Sequence, residues 1–292
     1  MRSAKAPAHR TTGVLVIAIA SVLACATPAA TPPPLPAPVP QAPRVRDPLE
    51  APWSVARPAG SFTNTLRLSS ELISRVDSVE RADSSSAVVV VSWSRIASAE
   101  PARLSGLVTA YRVGNGAADP APVLGLLLPV PFSAADAQGT RQAQLETAAA
   151  AACSPAAAIL QPLRELFVST PSRLVAGTSW SDSATYTICR DSMPLVVRST
   201  RLFRVVGAER HGALVVILID RTSAVTLRGE GSQFGEALSI TADGSGTMRL
   251  ELSRESGAVI EAHGDAELRM TMRGRRRVQE LRQRTRIEIA SP

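Results

Sequence analysis

Hydrophobic and polar residues alternate strictly in the C-terminal third of the chain. The alternation runs through residues 248–252, 260–272 and 281–289. Successive side chains of a β-strand point to opposite faces, so this pattern predicts strands with one apolar and one charged face. Residues 195–206 and 213–227 are rich in Val, Ile, Leu and Thr, which predicts two more strands. Together these segments predict an antiparallel sheet with one face exposed to water.

The first half of the chain holds shorter apolar segments between turn-forming residues. These segments are residues 62–79, 87–96, 104–113 and 123–130. Their regular spacing is typical of an antiparallel meander. Turns are predicted at the polar residues 81–86 and at the Asp243-Gly244 and Ser256-Gly257 pairs.

One helix is predicted near residues 155–169. Ser154 suits the N-cap and Pro155 suits the first helical position. Apolar residues follow at helical spacing, and Pro171 ends the segment. The predicted fold class is therefore mainly β (α+β), an antiparallel curved sheet or half-barrel with an inserted helix.

The N-terminus has the three parts of a secretory signal. Arg2, Lys5 and Arg10 are basic, residues 13–24 form a short apolar run, and Cys25 follows. The apolar run is too short for a membrane-spanning helix, which needs about 20 residues. We therefore expect the chain to be exported.

The segment Val22-Leu23-Ala24-Cys25 resembles a bacterial lipobox. The resemblance implies that residues 1–24 are a signal peptide and that the sulfur of Cys25 receives a diacylglycerol group. Ala26 stands where an Asp would imply retention at the inner membrane, so the resemblance implies outer-membrane anchoring in a cell with two membranes. The domain would then lie in the periplasm or at the cell surface. The alternatives are an ordinary signal peptide or an uncleaved anchor, each with a coincidental cysteine.

Prolines dominate the segment that follows, and residues 25–52 are interpreted as the lipidated cysteine and a linker. A Pro-rich chain favours polyproline II and extends by about 3.1 Å per residue, which gives a reach of roughly 80 Å. We expect this stalk to hold the β domain, residues 53–292, away from the membrane. A ligand segment for another protein domain is the alternative.

Cys153 and Cys189 remain when Cys25 is set aside. In an oxidising compartment they are expected to form one disulfide, worth roughly 3–4 kcal/mol by chain-entropy reasoning. Two separate buried thiols are the alternative. Two distant cysteines with no companion histidine supply too few ligands for a metal, so no metal site is expected.

The composition is that of a folded protein, with 45% hydrophobic residues, but only 3% are aromatic. The core must therefore consist of Val, Leu, Ile, Ala and Met. The net charge of +7 falls to +4 when Arg2, Lys5 and Arg10 leave with the signal. The remaining basic residues are arginines, not interleaved with aromatics, so no nucleic-acid partner is expected.

His211 and His263 are the candidates for acid–base or metal chemistry. His263 alternates with Glu261 and Asp265, so these three side chains share one strand face. The favoured alternative is a solvated face on which these acids pair with arginines of the next strand. Those arginines are Arg282, Arg284 and Arg286. No nucleophile elbow or phosphate loop is found, so neither a catalytic residue nor a cofactor is expected.

Arginines also cluster more widely over residues 273–286. Such a cluster suits anionic lipid head groups or an envelope polysaccharide. The alternative is an exposed strand whose charges protect a sheet edge from aggregation.

In outline, the chain resembles half-barrel envelope lipoproteins and lipid carriers of the LolA/LppX type. It is also similar to uncharacterised exported domains with a Gly-x-x-Trp-x-Asp segment, here Gly177-Thr-Ser-Trp180-Ser-Asp182. The resemblance implies a curved sheet whose concave apolar face takes an acyl chain, and it assigns no functional residue. The expected function is a non-enzymatic, membrane-anchored envelope lipoprotein that binds a hydrophobic or amphipathic ligand. A structural or protein-interaction lipoprotein with a filled core is the alternative, and an envelope hydrolase is the least supported.

Overall fold

The computed structural model describes residues 46–48, 50–55, 61–76, 79–96, 103–114, 127–131, 168, 170–190, 193–233, 236–275 and 277–291. Within these residues all regular structure is β, and no helix occurs, so the mainly β class is confirmed. The predicted helix near residues 155–169 lies outside the described residues except at Val168, which is not helical. The signal segment, Cys25 and Cys153 also lie outside them.

The described chain forms eleven strands. They are β1 (Arg46–Pro48), β2 (Phe62–Val76), β3 (Val79–Ile96), β4 (Arg103–Val113), β5 (Leu127–Pro131), β6 (Ser179–Arg190), β7 (Met193–His211), β8 (Leu214–Gln233), β9 (Glu236–Ser253), β10 (Val259–Gly274) and β11 (Val278–Ala290).

All eleven strands belong to one antiparallel sheet. Strands β7 to β11 are neighbours in sequence order, and β11 then pairs with β2, which continues through β3 and β4 to β5. Strand β6 pairs with β7, and β1 also pairs with β7, where Arg46 lies opposite His211. Strands β2 to β5 thus extend the sheet beyond β11, the last strand of the chain. Residues distant in sequence therefore lie in one sheet.

Side chains on one face of the sheet, called here the inner face, form two buried apolar clusters. The first lies at the end where β7 turns into β8 and contains Leu66, Trp93, Phe203, Ile219 and Leu250. The second lies at the opposite end and contains Leu72, Leu195, Leu227, Ile240 and Met270. Each large apolar side chain buried in this way contributes about 1.5–3 kcal/mol, so the clusters hold the long strands together at both ends.

The sheet begins within the predicted linker. Arg46–Pro48 forms an edge strand, the position in a sheet where proline's missing N–H is tolerated. Shortly after it, Trp53 and Leu174 exchange two backbone hydrogen bonds of 2.8 Å. Residues 46–48 and Trp53 are therefore paired with the folded domain, although the sequence placed residues 46–48 in the linker.

Two predicted turns are wrong, because the polar residues 81–86 lie within β3 and the Asp243-Gly244 pair lies within β9. The backbone hydrogen bonds of a β-ladder do not depend on apolar side chains, so polar residues and glycine can pair within a strand. Ser85 pairs with Ser70, and Asp243 pairs with Thr226. The Ser256-Gly257 turn is confirmed, and the φ of +66° at Gly257 explains its glycine.

Candidate functional site

A row of polar and small residues crosses the inner face between the two apolar clusters. Each member lies directly opposite the next member on the neighbouring strand. From β6 to β3 the row is Asp182, Arg201, Ser223, Gly246, Ala266, Thr285, Ser70 and Ser85. This inner polar row gives an otherwise apolar face a hydrogen-bonding centre.

A buried ion pair forms one end of the inner polar row. The Nε and Nη2 atoms of Arg201 donate to the two carboxylate oxygens of Asp182 at 2.7 and 2.5 Å. The two side chains are only 12% and 6% exposed. The guanidinium of Arg201 also lies over the ring of Phe203, which stacks with Trp180. Trp180 and Asp182 of the Gly-x-x-Trp-x-Asp segment therefore join β6 to β7.

A buried hydrogen-bond network lies toward the other end of the row. The Ser70 Oγ lies 2.9 Å from the Thr285 Oγ1, and the Nε2 of Gln283 donates to the Ser70 Oγ at 2.8 Å. Ser70 and Gln283 are both buried. Buried polar groups of this kind are stable when they bond to one another, so the network fixes the register of β2 against β11.

Arg221 adds a second buried cation beside the row. It precedes Ser223 by two residues on β8, so both side chains face inward, and it is 5% exposed. Burial lowers the pKa of Arg221 to about 10, which still leaves its guanidinium charged at neutral pH.

A small pocket opens on the inner face next to the row. Its volume is about 160 Å³. The lining includes Tyr186, Ile188, Val225, Leu268, Ser223 and Gln283. Pockets that hold drug-sized ligands are roughly 300–1,000 Å³, so the described pocket is smaller than a typical ligand site.

Two open grooves cross the outer face of the sheet. One, of about 980 Å³, passes over six strands from β3 to β8 and is lined mainly by hydroxyl side chains. The hydroxyl residues include Ser69, Ser84, Ser86, Thr222, Ser245 and Thr247. The second, of about 750 Å³, lies further along the same strands and is richer in charged side chains than the first. Arginines and carboxylates nearly balance in each groove, with two arginines and three carboxylates in the first and four arginines and three carboxylates in the second.

Cross-strand ion pairs account for this balance. Arg286 pairs with Asp265 at 3.2 Å, as the sequence predicted, and Arg284 lies 3.6 Å from Glu71. Arg282 donates to Glu267, and this hydrogen bond is the main cause of the lowered pKa of the Glu267 carboxyl. The arginines of the central outer face are thus occupied by acids of neighbouring strands.

His211 lies in a buried cluster that the sequence did not reveal. It is the last residue of β7, with a side chain only 4% exposed. Its Nε2 lies 3.4 Å from a carboxylate oxygen of Glu209, and its Nδ1 lies 3.7 Å from one of Glu251. Glu209 precedes His211 by two residues, but Glu251 comes from β9, and no local pattern links it to the histidine.

His263 is exposed and paired with a single acid. Its Nε2 lies 2.9 Å from the Glu261 Oε1, whereas Asp265, which shares the strand face as predicted, pairs with Arg286. The structure therefore does not join His263 and Asp265. Within the described ranges, no cluster of three or more His, Cys, Asp or Glu side chains is arranged to hold a metal ion.

Cys189 lies near the end of β6 and is in a disulfide. Cys153 is outside the part of the chain that the structure describes, so the Cys153–Cys189 pairing stays a prediction. The same holds for lipidation at Cys25.

Comparison with known proteins does not assign a family. No protein-family model matches the sequence, and no curated protein matches it. In the described part of the chain, no helix is long and apolar enough to cross a membrane. The resemblance to half-barrel lipoproteins stays a prediction.

Proposed function

We propose that the protein is a non-enzymatic envelope lipoprotein, anchored to a membrane through a lipid on Cys25. The basic N-terminus, the short apolar run and the lipobox-like segment at Val22–Cys25 support export and anchoring. The Pro-rich segment then leads directly into β1 at the edge of the sheet. In this proposal the anchor is most consistent with an outer membrane, because residue 26 is Ala.

We further propose that the domain acts as an interaction protein with a filled core. The observation that carries this choice is the burial of the inner face, whose clustered side chains are only 0–8% exposed. The outer grooves instead offer hydroxyls and paired charges to a polar partner.

Binding of an amphipathic ligand is the second candidate function. Half-buried Tyr186, Ile188 and Leu268 form apolar walls in the inner pocket, and Ser223 and Gln283 place polar groups beside them. This arrangement suits a molecule with an apolar chain and a polar end. In this second proposal the sheet is a half-barrel with the helix predicted near residues 155–169, as in the lipid carriers that the sequence resembles.

Native mass spectrometry of the protein purified from the cell envelope distinguishes the two candidates. For a filled core we expect the native mass to equal the mass of the denatured chain with its covalent lipid, because no ligand is bound. A lipid-sized adduct that disappears on denaturation would overturn the filled core and support the amphipathic-ligand candidate. The covalent lipid remains in both spectra, so it does not confuse the comparison.

The anchor is tested by substitution of the proposed lipid acceptor. We expect Cys25→Ser to abolish incorporation of labelled fatty acid, because the thioether needs the cysteine sulfur. The matched variant Ala26→Asp should keep the label and move the protein from the outer to the inner membrane fraction. Equal labelling of Cys25→Ser and the parent protein would refute lipidation at this residue.

A further inference from the structure

Four hairpins have their connected strand ends at the same end of the sheet. They join β2 to β3, β6 to β7, β8 to β9 and β10 to β11. The β10–β11 turn is the most basic, because Arg273, Arg275 and Arg277 follow one another at alternate positions. All three are exposed, and we call them the arginine tip.

The arginine tip differs from the arginines of the central outer face. Arg282, Arg284 and Arg286 each pair with an acid on a neighbouring strand. Among the residues that the structure describes, no carboxylate forms an ion pair with a tip arginine. The three guanidinium groups are therefore available to an external anion.

Two exposed valines accompany the arginine tip. Val278 begins β11 and is 63% exposed, and Val79 begins β3 and is 57% exposed. They belong to adjacent hairpins, because β11 pairs with β2, which turns into β3. Apolar side chains beside basic ones suit the interface of a bilayer, where arginines bind lipid phosphates and small apolar groups enter the head-group boundary.

We propose that the arginine tip binds the anionic phospholipid head groups of a bilayer surface. The biological setting rests on the proposed envelope location, but the binding itself does not require the lipid anchor. Strand β1 joins β7 at the opposite end of the sheet, beside His211. At about 3.3 Å per residue, the length of β7 separates the two ends by roughly 60 Å. The tip thus faces away from the point where the linker joins the domain.

The proposal is tested by sedimentation of the full chain with phosphatidylcholine vesicles, with and without phosphatidylglycerol. One variant combines Arg273→Gln, Arg275→Gln and Arg277→Gln. A matched control removes the same charge from three exposed positions along β7 through Arg198→Gln, Arg204→Gln and Arg210→Gln. All chains share one N-terminal segment, so any binding through that segment is common to them.

We expect the tip variant to bind phosphatidylglycerol vesicles about 100-fold more weakly, since each arginine near an anionic surface adds a separate attraction. The β7 control should stay close to the parent chain, and the difference should shrink at high salt. Val79→Ser with Val278→Ser should weaken the binding that remains at high salt. Circular dichroism of each variant shows whether the sheet is intact.

Several outcomes would overturn the proposal. Equal losses of vesicle binding in the tip and β7 variants would mean that binding depends only on net charge. Unchanged vesicle binding in the tip variant would mean that the arginine tip does not bind the bilayer. Loss of binding to soluble dextran sulfate, with vesicle binding unchanged, would assign the tip to a free polyanion instead. The two proposals fail separately. Absence of lipid on Cys25 in the protein from the cell envelope would refute the anchor, and vesicle binding through the arginine tip of that protein would still support this inference.

Discussion

Asp182→Asn is expected to lower the free energy of unfolding by about 3 kcal/mol, because it leaves the buried guanidinium of Arg201 without its counter-charge. The wild-type pair is bidentate and almost wholly buried between β6 and β7. An amide can accept only one of the two hydrogen bonds that the guanidinium donates. Urea unfolding followed by circular dichroism measures the change.

Asp220→Asn is the matched control for this prediction. The Arg249–Asp220 pair has a similar distance of 2.8 Å, but its side chains are 62% and 48% exposed. Exposed pairs contribute about 0–1 kcal/mol, so this variant should unfold close to the parent chain. If both variants lose the same small amount of stability, Asp182 and Arg201 are solvated in solution and their ion pair is not buried as described.

The Asp182 pair also shows what the sequence could and could not predict. The Gly-x-x-Trp-x-Asp segment is recognisable from its letters, but the sequence did not predict the strand that contains its Trp and Asp, β6. Its partners Arg201 and Phe203 lie on the next strand, and their inward direction depends on a register that one sequence does not reveal. The segment therefore pointed to a structurally important site without showing that the site is an ion pair.

Strand identity was easiest to predict where one face is apolar and the other charged. Residues 260–272 and 281–289 follow that rule and lie within β10 and β11. The rule fails at the inner polar row, where inward positions carry Ser, Thr or Gly. Residues 81–86 and Asp243-Gly244 were interpreted as turns for this reason, because polarity and glycine are also what turns require.

The candidate sites were harder to predict than the strands. The larger groove is lined mainly by hydroxyl residues from six strands, and the His211 cluster needs Glu251 from a strand that is not adjacent to β7. Each such contact depends on pairing between distant segments. Only the pairing of Arg286 with Asp265 followed from sequence, because consecutive alternating strands joined by a short turn define their own register.

Gly244→Ala is expected to destabilise the domain by about 2–3 kcal/mol, although alanine normally stabilises a chain relative to glycine. A Cβ atom at Gly244 would lie 2.4 Å from the backbone oxygen of Glu267 and 2.9 Å from the Leu268 Cδ1. The oxygen belongs to the β10 ladder, so it cannot move away without weakening the pairing of β9 with β10.

Gly207→Ala is the control with the opposite expected sign. Gly207 lies at a register shift in β7, and a Cβ there would meet no atom within 4 Å. Alanine should therefore stabilise by about 0.5 kcal/mol through the unfolded chain. Urea midpoints of the two variants, at equal slopes, give both signs in one experiment. Stabilisation by both substitutions would mean that β9 and β10 are further apart than described. The inner face would then be open enough at Gly244 to admit the chain of an amphipathic ligand. Opposite signs would support the close packing on which the filled core depends.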